Sequence, residues 1–209
     1  MSYYLTLPKC SEYHPQSELK NLPGYYPNIS GEQLNAVNAL KNLLEQEGIN
    51  IDYNDGEEEF LKLLRFLRAR KFNVQNAFKM LSEDHKWRLQ ENRLHLRKES
   101  ATTVLNCDDK KLARLYQYFP TWIQGIDKQL RPVSYRQFGK FEIWNVLKLT
   151  TLENLVRFHA WETEQALRLM NNQKKKTGYN IETFVLVIDA AGWNLKLATN
   201  DAFAFIKGK

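Results

Sequence analysis

Cationic side chains are concentrated between residues 62 and 98, where eleven Lys or Arg residues are balanced by only three acidic ones. This segment carries a net charge of +8, whereas the whole 209-residue chain carries +6, so the remainder is slightly acidic. The uneven distribution favours an anionic partner, and phosphate on a lipid, a nucleic acid or a small ligand would serve equally well. Such cations also complement the dipole at a helix C-terminus, which is their more common role.

Residue types that carry out catalysis do not form a recognisable arrangement in this sequence. The four histidines, His14, His85, His95 and His159, fall on different predicted elements without the spacing of metal ligands, and His159 is expected in the core. The sequence contains no glycine-rich phosphate loop and no Gly-x-Ser-x-Gly motif. We therefore predict a protein that is not an enzyme and that uses no metal and no other cofactor.

The composition predicts a folded protein of a reducing compartment. Hydrophobic residues make up 43% of the chain and charged residues 26%, which excludes a disordered or collagen-like chain. No apolar run approaches the ~20 residues of a membrane-spanning helix. The two cysteines, Cys10 and Cys107, do not form a disulfide framework.

Capping signals and helical periodicity predict four helices in the first 120 residues. Ser30 with Gln33 forms a capping box for the first helix, which Gly48 ends. Its apolar stripe comprises Leu34, Val37, Leu40, Leu43 and Leu44. The second helix runs through residues 60–68 behind a cluster of acids, Asn73 caps the third, and Asp108 or Asp109 caps a fourth that ends before Pro120.

The pattern then changes to that of an α/β protein. Residues 131–139 alternate as a half-exposed strand, and Thr150 with Glu153 opens a long helix that Gly178 closes. The apolar run 184–188 is typical of a parallel strand buried on both faces, and a helix follows over 195–206. The predicted fold class is α/β, with an all-helical N-terminal lobe followed by a mostly parallel sheet with flanking helices.

This layout predicts an extended arm over residues 1–29, a helical lobe over 30–105 and an α/β domain over 106–209. The sheet is incomplete as predicted, because a strand that is apolar on both faces needs more neighbours than the sequence supplies. An open sheet edge could pair with another chain, so a homo-oligomer or an interaction module is one possible reading.

Several motifs together resemble the CRAL-TRIO lipid-binding family, and most closely its fungal phosphatidylinositol/phosphatidylcholine transfer proteins. The motifs are FLRARKF at 66–72, Lys86-Trp87-Arg88, Arg131-Pro132-Val133, and Ile181-Glu182-Thr183 leading to Val187-Ile188-Asp189 and Gly192. The resemblance runs over nearly the whole chain. It implies a helical lobe packed on an α/β lobe whose sheet forms the floor of a lipid cavity.

The resemblance also implies roles for individual residues. Arg70 and Lys71 match a basic pair near the phosphate of an inositol lipid, and Asp127 matches an acid near the inositol ring. The cavity floor would be formed by Tyr135, Phe184, Leu186 and Ile188. The expected function is binding of phosphatidylinositol-type phospholipid and its transfer between membranes, by a cytoplasmic protein that associates transiently with Golgi or endosomal membranes.

Departures from the family pattern limit both the lipid that is expected and the part of the family fold that is expected. Phe184 and Leu186 stand where the family branch has Ser and Thr that meet phosphatidylcholine, and Ser134 replaces a tyrosine, which argues against a choline lipid. The chain also ends before the family's Tyr-Pro-Glu-Arg segment and gating helix, so the C-terminal part of the family fold is expected to be missing. Nucleic acid is not an expected partner, because the second helix is too apolar to lie exposed in a groove.

Overall fold

A computed structural model of the chain describes residues 22–53, 56–90 and 93–207. The described residues form two compact units that divide between His95 and Leu96, a helical unit from residue 22 to this point and an α/β unit after it. The predicted extended arm lies mainly outside the described residues. Of that segment, residues 22–29 form turns with a bridge between Tyr25 and Asn28.

The helical unit consists of α1 (Gly31–Gln46), α2 (Glu59–Ala69) and α3 (Val74–Gln90). The predicted capping box is present, because the Gln33 amide donates to the Ser30 hydroxyl and the Ser30 amide donates to the Gln33 side chain. The Asn76 amide donates to the Asn73 side chain at the start of α3. These local signals explain why the starts of α1 and α3 follow the sequence closely.

Buried leucines hold the three helices together. The core of the helical unit contains Leu40 and Leu44 of α1, Leu64 and Leu67 of α2, and Leu81 of α3. The predicted stripe of α1 is wrong at Leu34, which is 45% exposed because the first turn of this helix extends beyond the packed surface. The buried stripe therefore begins at Val37.

The α/β unit contains five helices and three strands in its described part. In chain order these are α4 (Ala101–Leu105), α5 (Asp109–Tyr118), β1 (Thr121–Ile126), β2 (Pro132–Gln137), α6 (Ile143–Val146), α7 (Leu152–Thr177), β3 (Val185–Asp189) and α8 (Asn200–Lys207). The α4 helix, which the predicted boundary at residue 105 assigned to the helical lobe, packs its Val104 and Leu105 with Leu155 and Phe158 of α7.

The sheet has the order β1-β2-β3. β1 and β2 form an antiparallel pair, and β2 and β3 are parallel, joined by the long crossover helix α7. The sequence missed β1 because its pairing is irregular between Ile123 and Ile126, and Gly125 has a positive φ of 77° there. The predicted α/β fold class, with a helical lobe followed by a sheet with flanking helices, is confirmed. The sheet was predicted to be mostly parallel, but in the described residues one of its two strand pairings is antiparallel.

Three local predictions in this unit are wrong in detail. Thr151, not Thr150, caps α7 through the Asn154 amide, because the Thr150 hydroxyl donates to the Leu105 carbonyl. β3 is not buried on both faces: it is an edge strand, with Leu186, Val187 and Ile188 at 42%, 41% and 53% exposure. The segment predicted as one helix over 195–206 is a 3₁₀ turn followed by α8.

Buried charges attach α7 to the sheet. Arg136 of β2 and Glu162 of α7 are both less than 9% exposed, and their Nη2 and Oε2 atoms lie 3.2 Å apart. The Thr121 hydroxyl of β1 donates to the other oxygen of Glu162. His159 is not a core residue, since 44% of its side chain is exposed, but its Nδ1 accepts a hydrogen bond from Arg136 at 2.9 Å. One carboxylate thus ties a helix to two strands.

Substitution of Gly139, which follows β2, tests the close approach of the chain after β2 to the chain after β3. A Cβ atom at this position would lie 1.8 Å from the carbonyl oxygen of Ala191, which is a backbone atom and cannot rotate away. We expect Gly139→Ala to lower the free energy of unfolding by about 2–3 kcal/mol, the cost of overpacking. Denaturant unfolding followed by circular dichroism measures this change.

Gly31 provides the matched control for this substitution. An added Cβ there meets nothing within 4 Å, and the residue lies in the first turn of α1. Gly31→Ala is expected to leave stability unchanged or to raise it slightly, because alanine has the higher helix propensity. Equal destabilisation by the two variants would contradict the close approach at Gly139.

Candidate functional site

Arg70 and Lys71 lie at the C-terminal end of α2, where the backbone turns sharply. Lys71 and Phe72 have positive φ angles of 51° and 60°, and the Phe72 amide donates to the Leu67 carbonyl at 2.7 Å. This bond closes the helix with residues in the left-handed conformation. Phe72 packs against the core of the helical unit, while Arg70 and Lys71 are exposed. An anion can therefore reach both cations from solvent.

The cations earlier on α2 have partners within the helical unit. Arg65 makes two hydrogen bonds of 3.1 Å to the Glu57 carboxylate. Burial acts to lower the pKa of Arg65, but the hydrogen bond and charge of Glu57 outweigh it, so this pKa lies above its ordinary value. Lys62 is 3% exposed and donates to the Ile51 carbonyl, and Arg68 donates to the Gly24 carbonyl. These three side chains hold the helical unit together.

Asp127 lies in the turn between β1 and β2, and both of its carboxylate oxygens make hydrogen bonds within that turn. Its Oδ1 accepts from the amides of Gln129 at 2.8 Å and Arg131 at 2.9 Å. Its Oδ2 accepts from Arg131 Nε at 2.8 Å and lies 2.6 Å from Arg131 Nη2. Because the carboxylate is half-buried with four contacts, its first effect is to fix the hairpin.

The register of the sheet separates the four predicted floor residues. Ser134 pairs with Leu186 and Tyr135 pairs with Val187, so Leu186 and Ile188 share a face that Tyr135 does not. Tyr135 instead stacks on Trp122 of β1 at 5.3 Å between ring centroids. Phe184, two residues before Leu186, packs in a cluster with Met170 of α7. The same register places Ser134 and Arg136 on the face of Leu186 and Ile188, so these two residues lie on the face of the sheet to which α7 is attached.

Exposed apolar side chains are concentrated in β3 and in the segment that follows it through α8. Besides the three residues of β3, the large exposed side chains are Trp193, Leu195, Phe203 and Ile206. Leu195 is the most exposed of these, at 81%. Val187 lies on the opposite face of the sheet from Leu186 and Ile188, so the exposed apolar side chains of β3 are available on both faces for contact with lipid or protein.

A groove of about 580 Å³ between α5, β1 and α7 was not foreseen from the sequence. Aromatic side chains form its walls, including Tyr116, Trp122 and Trp161, and Glu162 lies among the lining residues. The volume is typical of small-molecule sites. The lining residues come from α5, β1 and α7, and β1 and α7 are about 40 residues apart, so no short stretch of sequence shows that they form a groove. The one feature that could have indicated it is Glu162, an acidic residue on the apolar side of α7.

The structure places the predicted site residues in both units. Arg70 and Lys71 are adjacent in the helical unit, whereas Asp127, Tyr135, Phe184, Leu186 and Ile188 belong to the α/β unit. Within the sheet, Leu186 and Ile188 lie on one face and Tyr135 lies on the other, while Phe184 precedes β3.

Comparison with known protein families finds one family domain in each of the two units. The CRAL/TRIO N-terminal domain matches residues 36–83, and the CRAL/TRIO domain matches residues 116–208. The chain belongs to the CRAL/TRIO family. The two matches fall on the helical unit and on the α/β unit respectively.

Curated CRAL/TRIO-related proteins of fungi and plants are similar to this chain. It is 33% identical to the SEC14 cytosolic factor of Yarrowia lipolytica over 93% of this chain and 37% of that protein. It is 30% identical to the SEC14 cytosolic factor of Candida glabrata over 90% of this chain and 59% of that protein. A phosphatidylinositol/phosphatidylcholine transfer protein of Arabidopsis thaliana, SFH13, is 33% identical over 53% of this chain and 17% of its own length. The chain thus spans less than two thirds of the length of each of these relatives.

Among the described residues, no helix combines the length and apolar character that crossing a membrane requires.

Asp127→Ala tests the structural role of this carboxylate. The change removes the acceptor of two backbone amides and of Arg131, so we expect the free energy of unfolding to fall by about 1–3 kcal/mol. Asp127→Asn keeps one acceptor oxygen and is expected to lose less. Chemical denaturation of both variants measures the difference, and an Asp127→Ala protein as stable as the parent would rule out the turn-fixing role.

Proposed function

We propose that this CRAL/TRIO chain binds a phosphatidylinositol-type phospholipid and takes part in its transfer between membranes, without catalysing a reaction. The observation that carries the proposal is the exposed apolar surface of β3 in a chain of this family. Burial of lipid acyl chains against such a surface would contribute about 0.8 kcal/mol per methylene. The name of the Arabidopsis relative, a phosphatidylinositol/phosphatidylcholine transfer protein, supports a lipid of this class.

The proposed head-group contacts are made by Arg70 and Lys71. A phosphodiester that leaves water needs fixed cationic donors, and a guanidinium next to an ammonium meets that need. Both side chains are exposed and lie on a turn whose backbone is fixed by Phe72. Asp127 is proposed as an acceptor for inositol hydroxyls, and its position in the hairpin turn is fixed by Arg131.

The proposed cavity floor favours acyl chains over a choline head group. Leu186 and Ile188 present hydrocarbon on one face, Phe184 precedes them and packs beside Met170, and none of the three offers a hydroxyl to a buried phosphate. Ser134, which shares this face, is 4% exposed and has a side chain too short to enclose a quaternary ammonium. Tyr135 lies on the other face, so we propose that it supports the floor from behind by stacking on Trp122.

The proposed site of action is the cytoplasmic surface of membranes, with Golgi and endosomal membranes as the candidates. Exchange requires transient contact with the bilayer, because a phospholipid cannot cross water as a monomer at a useful rate. The exposed apolar side chains of β3 and α8 and the excess of positive charge favour contact with an anionic membrane surface.

Lipid extraction tests the head-group proposal. Purified protein is incubated with vesicles that contain phosphatidylinositol, recovered and analysed by native mass spectrometry. We expect one bound phosphatidylinositol per chain, and at least ~tenfold less for Arg70→Gln combined with Lys71→Asn, since two charged hydrogen-bond donors are lost. Asparagine is chosen at position 71 because it tolerates a positive φ.

The matched control removes two exposed cations of α3, by Lys79→Gln combined with Lys86→Gln. This variant is expected to extract lipid like the parent. Recovery of only lipid-free parent protein would refute the lipid proposal. Equal loss in the two double variants would show that overall charge, rather than the helix end, attracts the lipid.

A second candidate function is that of an interaction module without lipid, which associates through the open edge of β3. The observation that favours it is the exposure of Val187 and Ile188 on an edge strand whose outer hydrogen-bonding groups face away from β2. In this case two copies of the chain would pair through their β3 edges.

Light scattering distinguishes the second candidate. If the edge pairs, the parent protein is a dimer at micromolar concentrations, and Ile188→Lys is a monomer because a charge on an edge strand opposes pairing. Lys128→Ile, in the exposed β1–β2 turn, is the control for altered hydropathy elsewhere. A parent protein that is monomeric at all concentrations would eliminate this function.

A further inference from the structure

We propose that a hollow of about 400 Å³ beside α7 binds a phosphate ester through Lys98 and Arg168. The hollow is lined by the segment 97–101 on one side and by Trp161, Gln165 and Arg168 of α7 on the other. All of these residues belong to the α/β unit. The site uses none of the residues assigned to the carried lipid, and it does not depend on that assignment.

Two lining residues of the hollow, Arg97 and Glu99, are each neutralised by a partner of opposite charge. Glu164 lies 2.7 Å from Arg97 Nη2 and also accepts from Arg97 Nε at 3.1 Å. Glu99 lies 3.3 Å from Arg157 Nη2. These two pairs cancel in charge. The charge of the hollow is therefore decided by the remaining cations.

Lys98 and Arg168 are those cations. Both are exposed, and neither forms an ion pair with another residue in the described part of the chain. Two positive charges that share one concave site focus the potential and raise the local concentration of anions. A phosphate is the best fit, because a guanidinium binds two of its oxygens at once and an ammonium binds the third.

The floor of the hollow holds Lys98 in place. Trp161 is 5% exposed, and its Nε1 donates to the Glu99 carbonyl at 2.9 Å. Gln165 is 3% exposed, and its Nε2 donates to the Arg97 carbonyl at 3.2 Å. The backbone on both sides of Lys98 is thus tied to α7, the helix that carries Arg168. Little backbone order remains to be gained when an anion binds, which favours affinity.

The size of the hollow indicates an organic phosphate rather than a bare ion. Its volume lies within the usual range of small-molecule sites, ~300–1,000 Å³. The ester group would lie against Trp161 and Ala101, and the phosphate would lie at the rim between the two cations. Glycerol 3-phosphate provides this chemistry in soluble form, and phosphatidic acid provides the same group in a membrane.

Two binding experiments distinguish these sources. Isothermal titration with glycerol 3-phosphate measures the soluble ligand. Flotation with phosphatidylcholine vesicles, with and without phosphatidic acid, measures the lipid. We expect Lys98→Gln combined with Arg168→Gln to weaken phosphate-dependent binding at least ~tenfold, because two charged contacts are lost. Loss in the titration assigns a soluble phosphate ester, and loss only in flotation assigns a lipid phosphate.

A second variant predicts a gain, which misfolding cannot imitate. Glu99→Gln removes one negative charge at the hollow and is expected to tighten binding several-fold. Lys110→Gln combined with Arg114→Gln, on the exposed surface of α5, makes the same change in net charge as the test variant and is expected to bind like the parent.

The proposal fails if the parent binds neither glycerol 3-phosphate nor phosphatidate vesicles. It also fails if the α5 control loses binding as much as the Lys98 and Arg168 variant does. The Lys98 and Arg168 double variant is expected to extract phosphatidylinositol like the parent. Loss of phosphate binding at this hollow is therefore distinguishable from loss of the proposed lipid-carrying function.

Discussion

The buried ion pair between Arg136 and Glu162 is the interaction on which the α/β unit depends. Two charges that are almost completely removed from water are tolerated only when each is compensated, and Glu162 is shared between Arg136 and the Thr121 hydroxyl. Removal of either partner would leave an isolated charge inside the unit, at a cost of about 3–5 kcal/mol. The pair fixes the position of α7 on the sheet, and α7 in turn determines where the chain returns as β3.

The path of the chain from β2 through α7 to β3 explains why the apolar side chains of β3 are exposed. A parallel connection from β2 to β3 requires a long crossover, which α7 supplies, and it places β3 at the edge of the sheet. A strand composed of Val, Leu and Ile is suited to a position between two other strands. In this chain its apolar side chains lie at the surface, so the same strand supports both the proposed lipid floor and the alternative of edge pairing.

Much of the architecture could be predicted because it depends on local signals. The Ser30 capping box, the Asn73 cap and the glycine that ends α7 follow from hydrogen bonds between residues a few positions apart. The shift from Thr150 to Thr151 shows the limit of this reasoning, because the competing hydrogen bond of Thr150 goes to Leu105, which is distant in sequence. β1 was missed since its bulge interrupts the alternation by which strands are identified.

The sequence alone determined the family motifs, the caps of α1 and α3, the glycine that ends α7, the strand β3 and the concentration of positive charge between residues 62 and 98. Only the tertiary structure decided which cations are available, because Arg65 pairs with Glu57 whereas Arg70 and Lys71 are exposed. Likewise, only the register showed that Tyr135 and Leu186 lie on opposite faces. Composition and spacing fix local hydrogen bonds and periodicity, but the partners of a side chain are decided by packing between distant segments.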